Sequence, residues 1–290
     1  MLEKVKEFFR LVEGFKVLVV GETIVDEFVP VSYEGNSMKS NCPVLKYDGV
    51  SMLQEGGASA IYNHLKDFVS KVDLISNPKG TIVKTRFYDP FDNRKHVEIN
   101  KFDKANYGVI PKIEDGYDLV IIADFGHGYC NHLDISQPFC LMAQTNSNNF
   151  GFNRVSKWKA YRKLMTCLDL REASLQMNKH YHTADAEMIR EIYNYELNSQ
   201  YLFVTTGKTG SLFTDGNEVF QQPVYKTDIV DTIGAGDTFF TFASLLSALP
   251  QKSDYLFIPG LAASLSTTWL CNEYSVNKTN LLQHASKFIS

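Results

Sequence analysis

Asp231-Thr232-Ile233-Gly234-Ala235-Gly236-Asp237 runs directly into Thr238-Phe239-Phe240-Thr241-Phe242-Ala243, and the apolar stretch continues to Pro250. Two glycines flanking an alanine let the backbone approach a ligand closely. A helix beginning there aims its unpaired N–H groups and the positive end of its dipole at whatever fills the loop, which makes an anion hole. Asp237 lies inside that field, where the sequence predicts a carboxylate that stays ionised and takes a proton from a hydroxyl attacking a phosphoryl group. The bland reading of the same residues is a glycine turn capped by aspartate.

Outward from this stretch two patterns alternate. Phe15-Lys16-Val17-Leu18-Val19-Val20 ending at Gly21, Leu119-Val120-Ile121-Ile122-Ala123-Asp124, and Leu202-Phe203-Val204-Thr205 are short apolar runs of the kind that form buried parallel strands. Between them Ala58, Ile61, Leu65 and Phe68, and later Met188, Ile189, Ile192 and Tyr193, recur at helical spacing. The alternation predicts a doubly wound α/β fold, a mostly parallel sheet flanked by helices. Two segments, about 28–52 and 81–102, break it. In the second, Val83, Thr85 and Phe87, then His96, Glu98 and Asn100, alternate on either side of the turn Asp89-Pro90-Phe91-Asp92-Asn93. They predict a small β-sheet outside the main one. At roughly 150 residues per domain, 290 residues allow two domains, but no linker, repeat or low-complexity tract divides the chain. The sequence reads as one domain over 1–290 with a β appendage.

A composition of 44% hydrophobic and 21% charged residues excludes disorder and a disulfide-stapled miniprotein. With 29 Lys+Arg against 33 Asp+Glu, the net charge of -4 argues against a general nucleic-acid binder. Lys157, Lys159, Arg162 and Lys163 read as a solvated helix face. Charges interrupt the N-terminal apolar pattern, unlike a secretory leader, and no run approaches the ~20 apolar residues of a membrane span. The five cysteines, Cys42, Cys130, Cys140, Cys167 and Cys271, are scattered and odd in number. The expectation is a cytoplasmic protein with neither a membrane nor a nucleic-acid partner.

Other motifs are weaker alone. Gly21-Glu22-Thr23-Ile24-Val25-Asp26 sits at the carboxyl end of the first strand, where α/β sheets bind ligands. Asp26 there suits vicinal sugar hydroxyls, although a lone acidic loop residue is more often simply solvated. Glu55-Gly56-Gly57-Ala58 is a tight turn that admits a sugar, or a plain helix start. Thr205-Thr206-Gly207-Lys208-Thr209-Gly210 contains Gly-Lys-Thr, but Leu202 stands where a Walker A loop needs its first glycine, and no G-x-G-x-x-G follows a strand. His127 and the pair His180/His182 lack a third ligand at metal spacing. The amide-rich stretch 144–153 either reads a polar ligand or is a loop.

Taken in order, these pieces resemble the ribokinase-like (PfkB) carbohydrate kinase family over nearly the whole chain. Asp231-Thr232-x-Gly234-Ala235-Gly236-Asp237 matches its C-terminal signature, Thr205-x-Gly207-x-x-Gly210 its upstream nucleotide motif, and Gly56-Gly57 and Asp26 its sugar-binding positions. Within the family, Val17 to Glu22, Lys84-Thr85-Arg86 and Asp124-Phe125-Gly126-His127-Gly128 look most like the heptose 7-phosphate kinase type.

The resemblance implies ATP-dependent phosphorylation of a hydroxyl on a sugar or sugar phosphate, with heptose 7-phosphate the first candidate. It implies Asp237 as general base and Gly234, Ala235 and Gly236 as the cradle of the transferring phosphoryl group. Thr205, Gly207, Lys208 and Gly210 would contact ATP, and Mg²⁺ would bridge its phosphates, with Glu172 reaching the metal through water and Asp169 beside it. A monovalent cation, K⁺, is implied near the signature with Asp231 as its ligand. The β appendage would be a lid that excludes water, with Lys84 and Arg86 either holding an anionic group of the substrate or standing as exposed strand residues. Such lids often pair into homodimers, for which Phe28, Val31, Tyr33 and Phe87 are candidates, although strand packing against the chain's own core explains these residues as well.

The chain departs from the family pattern at three places. Asp169-Leu170-Arg171-Glu172 replaces Asn-x-x-Glu, Ala60 and Ile61 stand where an asparagine follows the Gly-Gly turn, and Leu261-Ala262-Ala263-Ser264 lacks the asparagine beside adenine. A kinase for another small alcohol, such as a nucleoside or vitamin precursor, and a non-catalytic ligand-binding relative are the alternatives.

Overall fold

The computed structural model describes residues 1–146, 149, 151–195 and 197–288. Helix α1 (Leu2–Val12) precedes β1 (Lys16–Gly21), β2 (Thr23–Asn36), β3 (Pro43–Tyr47) and β4 (Met52–Gly57). Helix α2 (Ala58–Leu65) and β5 (Lys71–Ser76) lead into the hairpin of β6 (Ile82–Tyr88) and β7 (Lys95–Phe102). Next come β8 (Leu119–Asp124), β9 (Phe139–Ala143), β10 (Lys163–Asp169), and helices α3 (Leu170–Met177) and α4 (Ala186–Tyr193). β11 (Ser199–Thr205), β12 (Ser211–Thr214), β13 (Val219–Gln222) and helices α5 (Ala235–Ser247), α6 (Phe257–Ser266) and α7 (Lys278–Ser286) follow.

The strands form two sheets. The main one has the order β13-β12-β11-β10-β9-β8-β1-β5, parallel from β5 to β11 and antiparallel beyond. Val17, Leu18, Val19 and Val20 of β1 are all buried, as a parallel strand covered on both faces requires. From β1 the sheet grows both ways, to β5 on one side and β8 on the other. β1 and β8 therefore flank a topological switch point, where a crevice opens outside the carboxyl ends of the strands.

The second sheet has the order β3-β2-β6-β7, with β4 also pairing β2. The appendage expected from 28–52 and 81–102 is present, but it starts earlier and takes in more of the chain. Asp26 is thus a strand residue opposite Lys84, not a loop residue, and Gly56 and Gly57 end a strand.

Two further expectations change. Residues 155–163 are not a solvated helix face: Val155–Trp158 is one 3-10 turn, and Lys163 opens β10 with its ammonium buried against the carbonyls of Trp158 (2.9 Å) and Tyr161 (3.0 Å). Carbonyl dipoles replace its water, and burial still pushes its pKa down to about 8. Phe28 and Val31, candidates for a dimer surface, are buried. Phe28 packs edge-to-face on Tyr88 at 5.9 Å, alongside Leu270 and Cys271. No helix among the described residues is long and apolar enough to cross a membrane.

Candidate active site

Helix α5 begins at Gly234 in the left-handed conformation, φ +85. The conformation demands glycine, and a Cβ there would also lie 2.8 Å from Asn272 Oδ1 and force that side chain to shift. Gly236 differs, since a Cβ on it would meet nothing within 4 Å. The first turn of α5 is therefore open above its N–H groups, at the positive end of the dipole, which is the room a phosphoryl group needs. Beyond this turn the helix is buried on all sides from Asp237 to Ser247. Its Thr241, Ser244 and Ser247 hydroxyls donate to carbonyls four residues back at 2.7–2.8 Å, so the helix needs no polar face to satisfy them.

Asp237 stands in that turn, 9% exposed. The sequence predicts a carboxylate held ionised, but burial, reinforced by the charge of Asp26 and opposed by Lys84, pushes its pKa up to about 7. At neutral pH it is poised between its two forms, as an efficient general base should be.

Asp169 and Glu172 belong to a capping box at the start of α3. Asp169 Oδ1 accepts from the Glu172 N–H at 2.6 Å, and Glu172 Oε2 accepts from the Asp169 N–H at 2.9 Å. Glu172 Oε1 also accepts from Thr145 N at 3.0 Å. Burial, then the charges of Asp169 and Asp237, push the Glu172 pKa up to about 8. Three carboxyls thus converge here without a cation partner, and a divalent ion carried in on nucleotide phosphates fits them by favouring their ionised forms. Among the described residues no group of three acidic, histidine or cysteine side chains forms a metal site of its own. Asp169 lies in register with Thr205 on the neighbouring strand β11, so the two nucleotide-side motifs meet at adjoining strand ends. Gly207 is open to its surroundings, Lys208 is exposed, and Gly210 packs against the backbone of Gln222.

The substrate-side candidates all sit on the second sheet. Arg86 is committed within the fold. It pairs with Asp26, and its Nε donates to Glu98 Oε2 at 3.0 Å. The Arg86 and Asp26 side chains are only 9% and 6% exposed, and the guanidinium lies 5.7 Å from the centre of the Phe28 ring. Lys84, two residues earlier on the same face, is buried yet makes no ion pair among the described residues. Asn272, which no motif signalled, closes the gap between the two sides. It lies against both Gly56 and Gly234, and its N–H donates to Gln54 Oε1 at 2.8 Å. The bend that brings it there uses Cys271 at φ +48, a strained position for a non-glycine residue.

Asp231, expected to hold a monovalent cation, is occupied by a side chain. Lys95 of β7 donates to its Oδ1 at 2.9 Å, and the Asp231 side chain is 4% exposed. Oδ2 is buried without a hydrogen-bond partner. A further cation would place two positive charges on one carboxylate, so the residues do not fit a K⁺ site at this acid.

Of the amide-rich stretch, Ser147, Asn148 and Phe150 lie outside the described residues. Asn146 donates to the Phe125 carbonyl at 2.8 Å and Asn153 to those of Asp124 (3.0 Å) and Gln144 (3.1 Å), so these amides secure backbone rather than face a ligand.

Buried titrating groups set a pH dependence of stability. Glu22 and Asp237 are raised to about 7 and Glu172 to about 8, chiefly by burial, while burial lowers His64, His127 and His284 to about 4. The raised acids keep protons in the fold that the unfolded chain has released, so stability grows as pH falls through about 8 to 6.5. Below about 6.5 the unfolded chain protonates histidines that the fold keeps neutral, and the two trends offset. The melting temperature is expected to rise from about pH 8.5 to 6.5 and then level off. A calorimetric scan series showing a steady fall over that interval would contradict this balance.

Comparison with known proteins adds to this geometry. Residues 167–266, about a third of the chain, match the model of the pfkB family carbohydrate kinases. A stretch of 54 residues is 39% identical to the fructosamine kinase FrlD of Bacillus subtilis, covering 19% of this chain and 18% of that one. Another of 66 residues is 43% identical to the 2-dehydro-3-deoxygalactonokinase of Haloferax volcanii, covering 22% and 21%. The chain thus matches only about a fifth of the length of these curated relatives. The structure of Arabidopsis thaliana ribokinase complexed with ribose and ATP superimposes with a TM-score of 0.62 at 15% identity, over 94% of this chain and 99% of that one. The chain carries the ribokinase-like fold along nearly its whole length, and its segment 167–266, with the open turn and buried aspartate of α5, matches the pfkB carbohydrate kinase family.

Proposed function

We propose that this protein is an ATP-dependent kinase acting on a hydroxyl of a sugar or sugar phosphate, with heptose 7-phosphate the first acceptor to try. The observation that carries the reading is Asp237, a buried carboxyl poised near pH 7, beside the open N-terminal turn of α5. The acceptor oxygen attacks the γ-phosphorus of ATP as its proton passes to Asp237. The bond from that phosphorus to the bridging oxygen breaks, and its electron pair leaves with ADP. The N–H groups around Gly234, Ala235 and Gly236 stabilise the charge on the transferring group. Glu172 and Asp169 would lie near a Mg²⁺ carried on the nucleotide, which would supply neutralisation of the phosphate charge. Thr205, Gly207, Lys208 and Gly210 border the nucleotide, and the second sheet covers the acceptor and excludes water. The pfkB match and the ribose and ATP in the Arabidopsis structure support this assignment.

The test is an ATP-consumption screen over free sugars, sugar phosphates and sugar acids, run on wild type and Asp237→Asn together. Turnover with a sugar acceptor, lost in the variant, is expected. Identical background in both proteins for every acceptor would remove the kinase reading.

Lys95 supplies the charge that a monovalent cation brings to such a loop. Turnover is expected to be unchanged when NaCl replaces KCl. Lys95→Met should be slower and partly restored by K⁺, which activity titrations with each salt would show. A strong K⁺ requirement in wild type would count against this role for Lys95.

A further inference from the structure

At the switch point between β1 and β8, His127 is buried with Nε2 lacking any hydrogen-bond partner, while its backbone N–H donates to Glu22 Oε1 at 3.1 Å. Its ring stacks on Phe102 of β7 at 4.7 Å. Phe102 lies opposite Ile82, and the next inward-facing pair along the same hairpin is Lys84 opposite Asn100. Lys84 is buried without an ion pair, and Asn100 Oδ1 is buried without a donor, its Nδ2 being spent on Glu98 at 3.1 Å. Three polar groups with unused hydrogen-bonding capacity therefore line one stretch of the crevice roof and floor. Lys84 is close enough to His127 to help depress its pKa, and to Asp237 to oppose the rise there, so its charge is felt at both.

An idle carboxamide oxygen and an idle imidazole nitrogen are costly to bury unless something completes them, and the ammonium of Lys84, its stem buried and its charge unpaired, is free to join them. We propose that Lys84, His127 and Asn100 form a subsite for the far end of the acceptor, which is a hydroxylated chain ending in an anion, either phosphate or carboxylate. Lys84 and the neutral His127 Nε2–H donate to the anion, and Asn100 Oδ1 accepts from a neighbouring hydroxyl. Arg86 takes no part, because Asp26 and Glu98 already use it. The proposal rests on the kinase reading and narrows its substrate class to anionic acceptors.

The test reads binding, so it survives a failure of the kinase reading, which the ATP screen reports separately. Fructose 6-phosphate, gluconate and fructose are titrated calorimetrically into the full chain carrying Asp237→Asn, at about pH 8, well above the folded pKa of His127. At least one anion is expected to bind more tightly than fructose. Adding Lys84→Met should weaken that anion by about 10–100-fold, the worth of a hydrogen bond to a charged group, and leave fructose unchanged. Lys84→Arg should keep the preference, and Lys84→Gln replaces Met if the latter does not fold. Tight binding of fructose 6-phosphate alone assigns phosphate, and of gluconate alone carboxylate. Failure of both anions to bind better than fructose, or equal weakening of anion and fructose in Lys84→Met, overturns the subsite.

Discussion

Arg86→Met is expected to lose about 3–5 kcal/mol of folding stability, the cost of leaving one member of a buried ion pair without its partner. An exposed ion pair would be worth about 1 kcal/mol or less, so the measurement separates a structural arginine from a surface one. The exposed flank of Glu98 lets water take over there, whereas Asp26, nearly sealed against Gly56 and Asn272, has no such recourse. Denaturant unfolding should show the midpoint falling, and the double variant Arg86→Met/Asp26→Asn should recover much of the loss because no naked charge remains. If the double variant is as unstable as the single, the pair is not the reason for the loss. Loss of that size consumes a large part of the roughly 5–15 kcal/mol available to a folded domain.

Asp237→Asn is expected to lower turnover by about 10²–10⁴-fold while nucleotide still binds, since proton acceptance is removed but the cradle of N–H groups is not. The fold should tolerate it, as a neutral amide needs no desolvated charge. The pH profile gives a second signature. A base must be deprotonated to act, so wild-type turnover should climb through about pH 7 and flatten above it, whereas residual turnover in the variant should not follow that curve. A wild-type profile flat from pH 5.5 to 9 would be inconsistent with Asp237 as the base, titrating near 7.

Much of this was legible in the chain because the signals are local. The apolar runs of β1 and β8 and the glycines opening α5 depend on neighbours in sequence, and the family likeness drew on the same stretches. What escaped depends on distant partners. Arg86 meets Asp26 across 60 residues and Lys95 meets Asp231 across 136, so a reading of motifs leaves both carboxylates free for ligands. Asn272 is invisible for a related reason, since its importance lies in touching Gly56 and Gly234 rather than in any pattern around it. The ionisation of Asp237 is not legible either, because the helix end shows in sequence while the depth of burial does not. Lys163 looked like surface charge for the same reason.

Helix α5 has no wet side. Amide hydrogens of a helix buried on every face exchange only when the surrounding structure opens, so those from Phe239 to Ser247 should be among the slowest in the molecule. Asp237 is thus anchored on a helix that is sealed along its length. The second sheet, by contrast, meets the rest of the chain through the Phe28, Tyr88, Leu270 and Cys271 cluster, the stack of Phe102 on His127 and the pairing of Lys95 with Asp231. Protection measured strand by strand on β6 and β7, set against that of α5, would show whether this wall exchanges faster than the helix facing it.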